Sequence, residues 1–269
     1  MSKKMIQYQE LVNVVRGLSS DAMFDFFLNA CKNADLPICQ ICLDAGADIN
    51  IRESYHKDTL LKALVGSGKF TTEVGDWLIE KGADMHMVNN KGMSSLSMAC
   101  FKGEVEIVKS FIDKGIKIRP CENDFDEKSD LYYAVVGGEY EIVKMLLKLG
   151  ANIEYEEFYK AVERRKWKIV ELFLQNGISA DFNFGGCKPL HIATKNQDIQ
   201  TANILLKYNA NVNEKLSPRK ARHFLDKDFV VTPMDIAVAK KDIDMQKLLK
   251  SFGGSVSSNE EKSEVFLKY

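Results

Sequence analysis

Cys187-Lys188-Pro189-Leu190-His191-Ile192-Ala193, followed by Leu205-Leu206-Lys207-Tyr208-Asn209-Ala210-Asn211-Val212-Asn213, is the stretch that decides the fold. Its first part reads as the opening of a short helix, because proline is accepted at the first helical position, where no amide donor is needed. Its second part closes an apolar run on Asn209, a residue type that tolerates the left-handed turn at a helix end. The closing phrase recurs as Leu43-Asp44-Ala45-Gly46-Ala47-Asp48-Ile49-Asn50, as Ile79-Glu80-Lys81-Gly82-Ala83-Asp84-Met85 and as Leu147-Lys148-Leu149-Gly150-Ala151-Asn152-Ile153. Weaker copies centre on Gly115, Gly177 and Gly253. The marks at 46, 82, 115, 150, 177, 209 and 253 are spaced by 36, 33, 35, 27, 32 and 44 residues, about a period near 33. A period of this length signals stacked supersecondary units.

Upstream of each mark lies a helical pattern, as in Val105-Glu106-Ile107-Val108-Lys109-Ser110-Phe111-Ile112 and Tyr140-Glu141-Ile142-Val143-Lys144-Met145-Leu146-Leu147. Its broad apolar face suits a helix packed on both sides. Further back a shorter helix opens, for example at Thr232-Pro233-Met234-Asp235, where Thr232 can cap and Pro233 takes the first turn. Alanine follows in nearly every copy, at 30, 63, 99, 134, 161, 193 and 237, as expected where two helices approach closely.

These features together resemble the ankyrin repeat, matching its TPLHxA-type signature and its GADxN turn over roughly residues 25–256. The chain departs from the family pattern in lacking Thr-Pro in most copies. The resemblance implies an all-α solenoid of stacked antiparallel helix pairs with short β-hairpin-like fingers projecting from one edge. A single unit cannot bury its own helices, so stacking supplies the core. The expected organisation is an N-terminal helical cap over 1–24, using Ile6, Leu11, Val14, Val15 and Leu18. Seven repeats follow over 25–256, with an insertion at 214–230, and a C-terminal tail covers 257–269. His191 occupies the signature histidine, which the resemblance implies ties backbone turns together.

Little else in the sequence carries chemistry. With 45% hydrophobic residues and a net charge of −1, the composition gives no global case for nucleic acid or a membrane surface. The apolar stretches are too short to span a bilayer and the start lacks a signal-peptide run, so the expected location is cytoplasmic. Cys39-Gln40-Ile41-Cys42 invites a zinc or redox reading. In the repeat register, however, Cys31, Cys39 and Cys42 fall at buried apolar positions, and no second CxxC or nearby His completes a site. The acidic run Glu122-Asn123-Asp124-Phe125-Asp126-Glu127 fails as a calcium loop, because Lys128 takes a ligand position. Arg164-Arg165-Lys166-Trp167-Lys168 reads as a turn with solvated charges around a core tryptophan rather than a nucleic-acid patch. No catalytic, cofactor or metal residues are assigned, and the chain is read as a monomer that is not an enzyme.

The resemblance implies that a partner protein meets the finger tips and the exposed positions late in each first helix. The finger positions are Val88, Asn90, Lys91, Met93, Phe182, Phe184 and Cys187. The helix positions are Lys32, Val65, Phe101, Lys102, Val136, Gly137, Glu163, Arg164, Lys195, Asn196, Ala239 and Lys240. Phe101, Phe182 and Phe184 are the preferred anchors, since exposed aromatics and arginines dominate interface energetics. Packing between fingers is the competing reading for the three phenylalanines. Three irregularities single out local function. The fifth repeat is short by six residues, all from its finger, which predicts a notch beside Gly137 and Arg164. The insertion before the seventh repeat reads at Ser217-Pro218 as a capped basic helix, and the fourth finger carries the acidic run. The expected function is an adaptor or scaffold, the alternative being an enzyme or regulatory subunit with an unrecognised site in the groove. Finally, Glu260-Glu261-Lys262-Ser263-Glu264-Val265-Phe266-Leu267-Lys268-Tyr269 is similar to C-terminal export signals of type IV secreted ankyrin effectors of intracellular bacteria. That likeness implies delivery into a host cell and a host protein as partner; the divergent repeats equally suit a large virus or a free-living cell.

Overall fold

The computed structural model describes residues 3–120, 128–183, 187–216 and 231–257. Fifteen helices lie among them, a first helix α1 (Lys3–Arg16) and then seven pairs. The pairs are α2 (Ser20–Lys32) with α3 (Leu36–Asp44), α4 (Leu60–Ser67) with α5 (Thr72–Glu80), and α6 (Ser95–Lys102) with α7 (Val105–Asp113). They continue as α8 (Asp130–Gly137) with α9 (Tyr140–Lys148), α10 (Tyr155–Glu163) with α11 (Trp167–Gln175), and α12 (Pro189–Lys195) with α13 (Ile199–Lys207). The last pair is α14 (Pro233–Ala239) with α15 (Ile243–Ser251). The chain divides within α9 into two compact units, Met1–Ile142 and Val143–Tyr269. The acidic run at 122–127, Phe184, most of the insertion and nearly all of the tail lie outside the described residues.

The two helices of a pair differ in burial. First helices are enclosed by their neighbours: Pro189 through Thr194 are all buried in α12, and α6 packs against both α4 and α8. Second helices bury one face only, Val108 and Phe111 in α7 and Ile169, Val170, Phe173 and Leu174 in α11. Starts are set by side-chain caps: Ser19, Thr59, Ser94, Ser129 and Thr232 each accept a hydrogen bond from an amide three residues on. Fully buried Phe27, Phe111, Phe158 and Phe173 are the largest side chains of the core. In α1 only Val12 and Val15 are buried, whereas Ile6 and Val14, expected to cap the first pair, face outward. α2 itself begins at Ser20, within the segment read as the cap.

The recurring turn phrase has a residue-by-residue cause. All seven marks, Gly46, Gly82, Gly115, Gly150, Gly177, Asn209 and Gly253, have positive φ, the left-handed region that glycine and asparagine enter at least cost. Two residues on, Asp48, Asp84 and Asn211 close small turns by accepting from the amides of Asn50, His86 and Asn213. Two residues further, a side chain stitches one turn to the next. Asn50 accepts from the Asp84 amide (2.7 Å), Asp181 from the Asn211 amide (2.9 Å) and Asn213 from the Ser255 amide (2.8 Å). The fingers are short: the described bridges are the single antiparallel pairs Arg52 with Thr59 and Leu216 with Val231.

One register assignment needs correction. The caps Thr59 and Ser94 are equivalent, so Leu64, not Ala63, matches Ala99, and Gly66, not Val65, matches Phe101. Val65 is accordingly fully buried and cannot face a partner, and Ala63 is half-buried. In this copy Leu64 takes the alanine position, so the adjacent Ala63 reads one place early, and the connection between α4 and α5, residues 68–71, is longer than the 103–104 that joins α6 and α7.

Candidate functional site

In the first unit the finger between α5 and α6 is fixed from within. Asn89, buried and missed in the sequence, accepts from the amides of Lys91 (2.9 Å) and Met93 (3.0 Å). Its own amide donates to Asp58 (2.7 Å), whose second oxygen pairs with the buried Lys62 ammonium at 2.8 Å. The expected contact residues around it are largely engaged in the same framework. The Val88 carbonyl accepts from the Arg52 guanidinium, and the Asn90 side chain donates to the Tyr55 carbonyl. The Lys91 carbonyl accepts from the Tyr133 hydroxyl at 2.8 Å. The side chains of Asn90 and Lys91 are exposed, while Val88 and Met93 are half-buried.

At the C-terminal ends of α6 and α8, Phe101, Lys102 and Val136 come together. Phe101 is 40% exposed, Val136 is half-buried, and the Lys102 ammonium donates to the Gly66 carbonyl at the end of α4. Gly137 allows the close approach, since a Cβ there would lie 2.3 Å from the Phe101 carbonyl oxygen. At the opposite, N-terminal ends of α6 and α8 is a second group the sequence did not point to. Fully buried Asp130 accepts from Ser97 (2.7 Å) and from the Arg119 amide (2.8 Å), and the Arg119 guanidinium reaches Ser97 and the Gly92 carbonyl. Burial pushes the Asp130 carboxyl above its ordinary range, against the pull of the Arg119 and Ser97 bonds. Such a group holds α6, α8 and the finger in register.

In the second unit α10 packs on α12 and α12 on α14. Their C-terminal ends carry Arg164, Lys195 and Lys240, all exposed. Cations there are favoured by the helix dipole. Glu163 is half-buried and already compensated, with Lys160 at 2.7 Å and the Tyr159 hydroxyl at 3.3 Å. Asn196 ties the row together, its side chain donating to the Glu163 carbonyl while its own carbonyl accepts from Arg165. Ala239 is exposed, and Trp167 is half-buried rather than in the core. Phe182 stacks on Tyr155, with ring centroids 4.1 Å apart and planes 6° from parallel. The fifth turn passes from Lys148 to Tyr155 with no finger.

The residues with latent chemistry are inward-facing. Cys31, Cys39, Cys42 and Cys100 are buried free thiols, with Cys31 and Cys39 sulfurs 3.7 Å apart. Contact with Cys39 and burial both raise the Cys31 thiol, and burial pushes Cys42 up to about 12, so neither is a ready nucleophile. His191 is fully buried, its Nε2 3.0 Å from the Glu214 carbonyl. Burial lowers its pKa to about 4. Among the described residues no three His, Cys, Asp or Glu side chains are placed to hold a metal, and no helix is long and apolar enough to cross a membrane.

A family model described as ankyrin repeats matches the chain three times, over residues 27–120, 66–157 and 158–215, together more than half of the sequence. The chain belongs to the ankyrin-repeat family. Ankyrin repeats are generally protein–protein interaction modules on a typically non-catalytic fold. The solved ankyrin repeat domain of human ASB11 superposes with a TM-score of 0.68 at 21% identity, covering 86% of this chain and 99% of that one. Among curated relatives, a putative palmitoyltransferase ZDHHC13 of Danio rerio is 26% identical over 187 residues, 66% of this chain. The ankyrin repeat protein nuc-2 of Neurospora crassa is 23% identical over 250 residues, 88% of this chain. A putative ankyrin repeat protein FPV031 of fowlpox virus is 27% identical over 167 residues, 59% of this chain. This chain spans only 27% of the length of the first of these relatives and 22% of the second.

Proposed function

We propose that this protein is an adaptor or scaffold that recognises a segment of another protein along the late positions of its first helices and its fingers. The observation that carries the reading is the row formed by Arg164, Lys195 and Lys240, where three successively packed helices end on exposed cations. These side chains lie over helix ends and build no core, so an acidic stretch of a partner can meet them at little desolvation cost. In the first unit Phe101, with Val136 beside it, supplies the apolar counterpart on a backbone fixed by Gly137. The test is affinity purification with quantitative mass spectrometry, comparing the natural chain with Arg164→Glu/Lys195→Glu. Loss of the captured protein from the double variant supports this surface, and unchanged capture counts against it.

The finer reading, delivery into a host cell with a host protein as partner, rests on the likeness of residues 260–269 to type IV export signals. A translocation reporter fused to the chain with and without its last fifteen or so residues tests it. Delivery independent of the tail rejects it.

A further inference from the structure

We propose that the depression left by the absent fifth finger is a receptor for a guanidinium, in which an arginine of the partner protein stacks on Tyr155 and pairs with Glu154. The proposal rests on the protein-recognition reading above and adds a specificity to it. The connection from α9 to α10 runs only from 149 to 154, whereas that from α5 to α6 runs from 81 to 94. In place of a finger there is an open depression of about 480 Å³, lined on one side by Ile153, Glu154 and Tyr155 and on the other by Ile178. All of these belong to the second unit.

Tyr155 is oriented before any partner arrives. One face of its ring lies on Phe182 at 4.1 Å, yet the residue is 56% exposed, so the other face meets solvent. An aromatic ring held this way loses little conformational freedom on binding, and its face attracts a cation. Among the described residues Glu154 is the only charged side chain lining the depression. It stands at the turn position held elsewhere by Asn50, Asp181 and Asn213, which stitch their turn to the next. Glu154 makes no such bond, and its exposed carboxylate has no partner among the described residues. Glu154 immediately precedes α10, and its carboxylate supplies the negative charge of the depression. A flat cation satisfies both groups at once. A guanidinium can stack on the ring and present paired N–H donors to the carboxylate, whereas an ammonium offers a point charge and no planar face.

The experiment uses the full chain with methyl-labelled isoleucines and N-acetyl-arginine amide as probe, followed by NMR. Ile153 and Ile178 report on the depression directly. Saturable shifts of their methyls are expected at roughly millimolar to tens of millimolar probe, the range for a single side chain. The lysine analogue should bind about threefold or more weakly, and the citrulline analogue, which keeps the shape without the charge, should lose the response. Tyr155→Ala and Glu154→Gln should each weaken binding about threefold to tenfold; Glu154→Gln should leave the rest of the spectrum unchanged, and the changes from Tyr155→Ala should stay local to Phe182, on which its ring stacks. The proposal is overturned if the two methyls do not move with the arginine probe, if they move equally with citrulline, or if both variants respond as the natural chain does. Any of these results alongside partner loss in Arg164→Glu/Lys195→Glu rejects the receptor while leaving the groove reading in place.

Discussion

His191 gives the sharpest test of the packing. It sits in α12, fully buried, with its Nε2 3.0 Å from the Glu214 carbonyl, a bond that the neutral ring makes as the Nε2–H tautomer. Burial is the main reason its pKa falls to about 4; the carbonyls of Glu214 and Val231 pull upward, and Lys188 adds to the fall. In the unfolded chain the same ring titrates near 6.5. Between those values the unfolded state binds the extra proton, so folding stability is full above about 6.5 and is lost as pH falls toward about 4. Each pH unit inside the window is worth up to about 1.4 kcal/mol, which makes the loss between pH 7 and pH 5 about 2 kcal/mol. Urea denaturation at pH 7, 6 and 5 of the natural chain and of His191→Gln isolates the effect. Glutamine can still donate to Glu214 but does not titrate, and every other titrating group cancels in the difference. The natural chain should lose about 2 kcal/mol more than the variant over this range. Equal pH dependence of the two would refute a buried neutral imidazole.

Other consequences follow from the same geometry. Gly137→Ala gains about 1 kcal/mol of helix propensity but drives a Cβ into the Phe101 carbonyl, and overpacking against backbone outweighs it, for a net loss of about 1 to 2 kcal/mol. Gly66→Ala meets nothing closer than the Met98 side chain at 3.9 Å, so it should instead stabilise, by up to about 1 kcal/mol; melting temperatures of opposite sign check the pair. Asn89→Ala removes the acceptor of two finger amides and a donor to Asp58, costing about 2 kcal/mol, with faster hydrogen exchange at Lys91 and Met93 as the local readout. Chelation by EDTA should leave the melting temperature within about 1 °C, since the thiols of Cys31, Cys39 and Cys42 pack as apolar groups and no three His, Cys, Asp or Glu side chains among the described residues are placed to hold a metal.

What the sequence made legible was local. A left-handed φ at seven marks demands Gly or Asn, and those letters stand in the chain for anyone counting intervals. Thr232 and Pro233 announce their helix for the same reason, through a cap and a missing amide. The assignment of Val65 failed because Ala63 was read as the repeat's alanine, a position that Leu64 occupies in this copy; the cap at Thr59 carried the right register. Phe182 could not be placed from letters, since its ring meets Tyr155 from the preceding repeat. Asn89 and Asp130 were overlooked because neither lies in the periodic phrase. Key partners, Asp58 for one and Ser97 for the other, come from neighbouring repeats.

The same distinction bears on where binding energy can come from. Arg164, Lys195 and Lys240 are exposed and screened by salt, so opposite charge there speeds and orients encounter more than it tightens the complex. Affinity needs surfaces that lose water on binding and are rigid beforehand. In the second unit the surface that meets both conditions is Tyr155, held by Phe182 at a depression no finger covers. In the first unit Phe101 meets them, because Gly137 locks its backbone against α8. The first arises where a repeat departs from its own period by deleting a finger, the second where a glycine in α8 lets two helices approach closely. Regular repeats therefore build the core, and on the proposed reading Tyr155 and Phe101 are the groups that would distinguish one partner from another.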